Sequence, residues 1–526
     1  MKVLLAVALA VAPLTAQIRV TTRLVEVNVI VRDRNGAVRG LTKDDFELYD
    51  RGKRREIAFF SENAPSPVPK PALPPNVFSN LPEHRGIDRA AVTIVLFDGV
   101  NTAAADQIWA KRQFLAFLGQ AQPQDRIAVY SLGRTLRVLA DFTTDPKRLA
   151  AVVAPYRGRV DFSLDAPLER ITTDDPASDQ QWNEFFQKYE DEQLDRRIQH
   201  TADAVEAIAR QIGAVPGRKN LIWMSAGFPF ENQDPRFPKL YGEAAERMAR
   251  ALSEANVALY PVDARGLVAM PSLAADGRFA PPRRPDALTP TSPLASGGRG
   301  PVSGPERAAG MSPSGQPVMR LLAQATGGRA FTDSNDIRGA IRTVLDDSAS
   351  TYTLAFHPEE ADLDSKAHKL TVKLSRPGVE IRHRDSYQAI ADPPRDDRSR
   401  AAEIRAAIVS PLDSGGVGLR VRATRGETLR LDVLITARDV TFERGGDHWK
   451  AGMDVALAQR AADGRDLGTT FYTVAPDFGE AQYQDALAKG VGFSKGIPAA
   501  AGAVDVKVVI VDRASGRLGS LAVPLR

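Results

Sequence analysis

The chain has 526 residues, with 43% hydrophobic and 25% charged side chains and a formal net charge of +4. That length predicts several domains, and so weak a charge without a dense basic block excludes a nucleic-acid footprint. There is no cysteine, which excludes disulfides, thiolate zinc sites, a cysteine nucleophile and a lipid-bearing cysteine.

Lys2, an apolar run over residues 3–11 and Leu14-Thr15-Ala16 before Gln17 read as a signal peptide spanning residues 1–16. No later stretch is apolar for long enough to be a transmembrane helix. The mature chain is therefore expected to be secreted or periplasmic. Residues 17–63 form an N-terminal β module, in which Val25, Val27, Val29 and Val31 alternate with Glu26, Asn28 and Arg32 before the Asn35-Gly36 turn. Asp45 is placed to reach back to Thr42 at the start of a short helical turn. Residues 64–88 are a Pro-rich linker.

From residue 89 to 350 the pattern becomes strand–helix alternation. Strands are predicted at residues 91–97, 126–131, 220–224 and 257–262, with an antiparallel partner at 136–142. Helices are predicted at residues 106–118, 146–153 and 240–254. A polar insertion over residues 157–191 precedes a long amphipathic helix carrying Leu194, Ile198, Thr201, Val205, Ile208 and Ile212. Residues 266–316 are a Pro/Gly/Ser/Arg-rich loop. Two further helices, at 318–325 and 337–349, flank a short strand at 329–332.

Strands return at residues 351–388, which are expected to pack with residues 17–63 as two halves of one module, each alone too small to bury both faces. A charged linker covers residues 389–412, and residues 413–526 read as a C-terminal all-β sandwich. The fold class is thus α/β, with a mostly parallel Rossmann-like sheet covered by helices on both faces, a flanking β-sandwich module and an all-β C-terminal domain.

The most informative stretch is Val95-Leu96-Phe97-Asp98-Gly99-Val100-Asn101-Thr102, an apolar strand that ends in a carboxylate. Open α/β sheets place ligands at that rim. The order of strands, LVEVNVIVRDRNG and LTKDDFELYDRGK near the start, VLFDGVNT, VPGRKNLIWMSAGFP, TGGRAF, YTLAFHP and the terminal DRASGRLGSLAVPL resemble the bacterial VWFA-related domain proteins. The resemblance implies a von Willebrand factor A-type domain. In that fold a divalent cation takes oxygens from an Asp-x-Ser-x-Ser strand end, a Thr from a loop and an Asp from a Thr-Asp-Gly turn. Here Asp98 and Thr102 match the first acid and the last hydroxyl. Val100 replaces the middle serine, Thr201 stands for the threonine, and the turn reads Ser225-Ala226-Gly227, without its acid. A hard cation needs several oxygen donors, so a degenerate site with no cofactor, or weak magnesium or calcium binding at best, is expected. Asn101, Thr201, Ser225 and Gly227 are then the rim of a binding surface.

Gly492-Phe493-Ser494-Lys495-Gly496 fits a serine-hydrolase elbow in letters alone, because Ile497-Pro498 follows and no histidine lies beyond His448. Lys219 ends a glycine-containing stretch that runs from helix to strand, the reverse of a phosphate loop. His200 could face the rim but reads as a surface residue, the acidic residues 184–195 as a solvated helix face, and Trp449 as core. The expected function is therefore a non-enzymatic, exported protein-interaction or adhesion protein, with a protein partner and no nucleic acid. The alternatives are an extracytoplasmic hydrolase, or an envelope-assembly protein docking through residues 413–526.

Overall fold

The computed structural model describes residues 24–63, 72–85, 91–157, 175–213, 215, 217–226, 238–266, 316–348, 351–359, 362, 364, 366–389, 396–426 and 428–525. The expected signal peptide, Gly227 and nearly all of the loop at residues 266–316 lie outside these residues.

The elements run in chain order from β1 (Val25–Asp33), β2 (Gly36–Ala37), β3 (Phe46–Asp50), β4 (Lys53–Arg55) and β5 (Phe59–Asn63) to β6 (Val77–Ser79). Next come β7 (Val92–Asp98), α1 (Ala104–Leu118), β8 (Ile127–Leu132), β9 (Leu136–Thr143), α2 (Pro146–Val153) and α3 (Pro176–Ile212). They continue with β10 (Lys219–Ser225), α4 (Pro238–Glu254), β11 (Val257–Asp263), α5 (Gln316–Thr326) and α6 (Ile337–Ser348). Strands β12 (Thr351–Phe356), β13 (Ala367–Leu374), β14 (Glu380–Arg382) and β15 (Ser386–Gln388) precede α7 (Asp397–Val409). The last unit holds β16 (Leu419–Arg425), β17 (Thr428–Ile435), β18 (Glu443–Gly445), β19 (His448–Lys450), β20 (Met453–Arg460), β21 (Asp466–Val474) and β22 (Asp477–Gly479). It closes with α8 (Glu480–Lys489), β23 (Val491–Pro498), β24 (Asp505–Asp512) and β25 (Leu518–Pro524).

Two sheets, in the orders β14-β1-β12-β5 and β15-β13-β3-β4, form a sandwich from both sides of the central domain. Val25 pairs with Phe356 and Val29 with Tyr352. The inward valines of β1 meet Phe46, Leu48, Tyr352, Leu354, Leu370 and Val372 in one core. Asp45 accepts from the Thr42 N–H at 2.7 Å, which fixes the turn into β3.

Between the halves of this sandwich sits a sheet in the order β11-β10-β7-β8-β9. The β11/β10, β10/β7 and β7/β8 ladders are parallel, and β8/β9 is antiparallel. Phe331 adds a parallel bridge outside Val262. Every residue of β7, β10 and β11 is buried, as a sheet covered on both faces requires. Ile94 and Leu96 meet Ile198, Val205 and Ile208 of α3, Met248 of α4 and Leu322 of α5 on one face. Val95 and Phe97 meet Phe114 of α1, Leu149 of α2 and Ile341 of α6 on the other.

The last unit packs β23-β17-β16-β6 against β21-β20-β24-β25. Leu419, Val421, Leu431 and Val433 face Val455, Leu457, Val508 and Ile510 between them.

Three expectations need correction. The C-terminal unit is not all-β: α8 belongs to it, and α7 lays Ile404 and Ile408 on Ala456, Ala458, Val509 and Val511 behind the sandwich. That helix occupies the expected linker at residues 389–412, where Asp396 caps it by accepting from the Ser399 N–H at 2.7 Å. The Pro-rich linker likewise contains β6, which pairs with β16. Asn80 fixes it there, with Nδ2 donating to the Val417 carbonyl at 2.9 Å and Oδ1 accepting from Leu419 N–H at 2.7 Å. The polar insertion is also helical from Pro176 onward, so Thr201 lies well inside α3 rather than at its start.

Candidate functional site

Strands β7 and β10 are parallel neighbours, so their C-terminal residues Asp98 and Ser225 meet at one rim. Trp223 stands two residues before Ser225, on the same face of β10, because strand side chains alternate. The turn after β7 folds back on its own carboxylate. Asp98 Oδ1 accepts from the N–H groups of Val100 at 3.0 Å and Asn101 at 2.9 Å. Asp98 Oδ2 accepts from Asn101 Nδ2 at 2.9 Å, Trp223 Nε1 at 2.9 Å and Ser225 Oγ at 3.0 Å. Burial pushes the Asp98 carboxyl up, against the pull of these donors.

Helix α3 supplies the other wall. Thr201 Oγ1 accepts from Asn101 Nδ2 at 2.9 Å and donates to the Arg197 carbonyl at 2.7 Å. Arg197, one helical turn earlier on the same face, donates to Asn101 Oδ1 at 3.3 Å. Burial lowers the Arg197 guanidinium, while the charge of Asp98 holds it up. Thr102 Oγ1 accepts from Ala226 N–H at 3.1 Å, which ties the first turn to the second. The structure therefore brings Asp98, Asn101, Thr102, Thr201 and Ser225 together, all of them buried.

Next to them, at the end of β11, Asp263 holds Arg265 through two bonds of 3.0 and 2.8 Å. Burial raises the carboxyl of Asp106 on α1, with Arg265 pulling it down and Asp263 pushing it up.

A divalent cation does not fit this donor set. A carboxylate offers about four acceptor positions, and five protein donors already converge on Asp98. The Thr102 hydroxyl faces an N–H group. Val100, fully buried, puts a hydrocarbon where an oxygen would be needed. Among the described residues no group of three or more His, Cys, Asp or Glu side chains is arranged to hold a metal. Asp98 and Thr102, proposed as ligands from the sequence pattern, are instead the acceptors that close the rim.

Sequence reasoning missed Trp223, Arg197 and the Asp263–Arg265 pair. Two spacings point to the first two: Trp223 lies at i−2 from Ser225 on a strand, and Arg197 at i−4 from Thr201 on a helix. His200 is half-buried, and its Nε2 donates to the Gly133 carbonyl at 2.7 Å.

The other motifs are structural. Ser494 lies within β23 and donates to Asp432 Oδ1 at 2.6 Å, with no helix directly after it. Lys219 is buried and donates to the Val215 carbonyl at 2.7 Å. Residues 184–195 lie along α3. Trp449 is half-buried rather than core, stacked on Tyr483 with ring centroids 4.3 Å apart.

No family model matches the chain, and no curated protein does. Among solved structures it is similar to an aerotolerance-related membrane protein from Bacteroides fragilis, at 13% identity over 49% of this chain and 98% of that one, with a TM-score of 0.25. BatB from Bacteroides thetaiotaomicron overlaps to the same extent, again at 13% identity and a TM-score of 0.25. The SpRpn10 VWA domain matches at 12% identity over 33% of this chain and 74% of that one, with a TM-score of 0.17. The features of the fold itself are an Asp at the end of the first central strand, an antiparallel hairpin after the first helix and a parallel sheet covered on both faces. By those features, residues 91–348 carry a von Willebrand A-like domain.

Proposed function

We propose that this chain is a non-enzymatic protein-interaction protein, exported through its N-terminal leader, whose A-like domain binds a protein partner at the rim without a metal. The observation that carries this reading is the saturation of Asp98 by donors of the chain itself. A rim whose charge is already satisfied is rigid and offers shape and hydrogen bonding rather than a Lewis acid. Ligands of open α/β sheets bind at this edge.

Capture from an envelope extract of the native host, with and without a chelator, tests the reading. One partner retained equally in both supports it, and chelator-dependent loss overturns metal independence. Isothermal titration with magnesium or calcium is expected to show no saturable heat at millimolar ion. Labelling of Ser494 by a serine-hydrolase probe would overturn the non-enzymatic assignment. Export is checked by fractionation and by an N-terminus that begins at Gln17.

A further inference from the structure

Beside the rim, the β8–β9 hairpin carries a second feature. A cavity of about 390 Å³ opens between its turn and the segment after α2. Arg134 from the turn, Arg137 from β9 and Arg157 from beyond α2 line it, together with Leu139 and Tyr156, and no acidic side chain does. Among the described residues neither Arg137 nor Arg157 has an ion pair with a carboxylate. The His200 bond to Gly133 holds this turn against α3, so the cavity is a continuation of the rim.

Strand β9 is also the last of its sheet, and no strand among the described residues pairs with its outer side. Its Val138 is 37% exposed. A lone charge on an edge strand is a common guard against unwanted pairing, and Arg137 by itself would be that. Three arginines reaching one cavity from three separate segments are a different arrangement. Guanidinium forks suit carboxylates in two-point contacts, and an unpaired strand edge suits extended main chain. Lipid headgroups and nucleic acids do not pair with a strand edge, so the edge favours a peptide.

We infer that the arginine-lined cavity and the free edge of β9 dock an extended acidic segment of the protein partner. This rests on the protein-binding role proposed above and names the chemistry of the partner. The carboxylates enter the cavity, and the intervening apolar side chains lie along Val138 and Leu139.

The test is fluorescence anisotropy with the full chain and a labelled alternating Glu-Val octapeptide, with the Lys-Val counterpart as control. Saturable binding of the acidic peptide alone, weakened by salt, is expected. Arg137→Glu with Arg157→Glu should weaken it about tenfold or more, the loss of one charge-assisted contact. Val138→Pro, which removes an edge N–H, should weaken it with an unchanged circular dichroism spectrum. Equal binding by either variant, no saturable binding, or displacement by inorganic tripolyphosphate with no peptide affinity overturns the inference. Partner capture that survives in the double charge reversal also overturns it while leaving the proposed function standing. A wild-type chain that captures no partner removes that function whatever the peptide does.

Discussion

Trp223 Nε1 lies 2.9 Å from Asp98 Oδ2, an indole donating to a carboxylate between neighbouring strands of the central sheet. Trp223 is also one of the largest fully buried side chains in the described chain. Replacing it with phenylalanine keeps an aromatic ring in the core and deletes one charge-assisted donor. Trp223→Phe is expected to cost about 2 kcal/mol in urea unfolding. Addition of magnesium should restore none of it. An unchanged midpoint would show that the remaining donors suffice for Asp98.

Lys219 opens β10 at the opposite end of the sheet. Burial lowers its ammonium from 10.5 to about 8, against the pull of Glu26. The native chain therefore releases this proton near pH 8, while the unfolded chain keeps it until about 10.5. Between those values the unfolded state binds more protons, so stability contributed at this site rises with pH. In Lys219→Met the contribution is absent. The difference between variant and wild type should shift toward wild type by on the order of 3 kcal/mol across that window. Urea melts at several alkaline pH values measure it, and parallel curves would refute it.

His368 is buried in the sandwich with each ring nitrogen facing a carboxylate, Asp50 at 2.9 Å and Asp364 at 3.1 Å. Burial raises the Asp364 carboxyl, but bonds from Lys366 N–H, Arg51 and His368 outweigh it and hold it at about 2. A lowered folded value gives stability that is present above the ordinary 3.8 and lost as pH falls through about 2. Asp364→Asn should melt below wild type at neutral pH. The gap in Tm should close over that acid window, and a constant gap would contradict the assignment.

The two glycines of TGGRAF serve two close approaches. Gly327 takes φ +74°, and a Cβ there would stand 2.8 Å from the Arg384 nitrogen of the sandwich. A Cβ on Gly328 would lie 1.9 Å from the Leu259 carbonyl oxygen of β11. Gly328→Ala must move backbone rather than a flexible side chain. A loss of about 3 kcal/mol or more is expected, read from chemical denaturation or from soluble yield. A fully stable variant would mean that the turn relaxes at little cost.

Alternation made the N-terminal strand legible, because Val25, Val27, Val29 and Val31 recur at period two. The unbroken apolar run before Asp98 likewise marked a strand buried on both faces. Strand β6 was illegible, since Val77 and Phe78 are a two-residue signal among prolines and their pairing partner lies at Val421 and Arg422. Helix α7 was hidden by its charges, as only Ile404 and Ile408 face the sheet behind the sandwich. At the rim, the turn after β7 was readable because its bonds are local. Trp223 and Arg197 reach Asp98 and Asn101 only through sheet pairing and helix packing, and no linear pattern encodes a contact made across separate elements.

The sandwich wraps around an inserted domain, and this has a consequence for how the chain is made. Val25 leaves the ribosome early, yet its ladder partner Phe356 is synthesised only after the whole central sheet. A row of valines on an open strand must wait through that interval, and such uncovered edges invite aggregation. Contacts so distant along the chain also slow folding. Biogenesis of this protein should therefore depend on a holding chaperone for its first strand, whereas the central sheet matures on its own schedule.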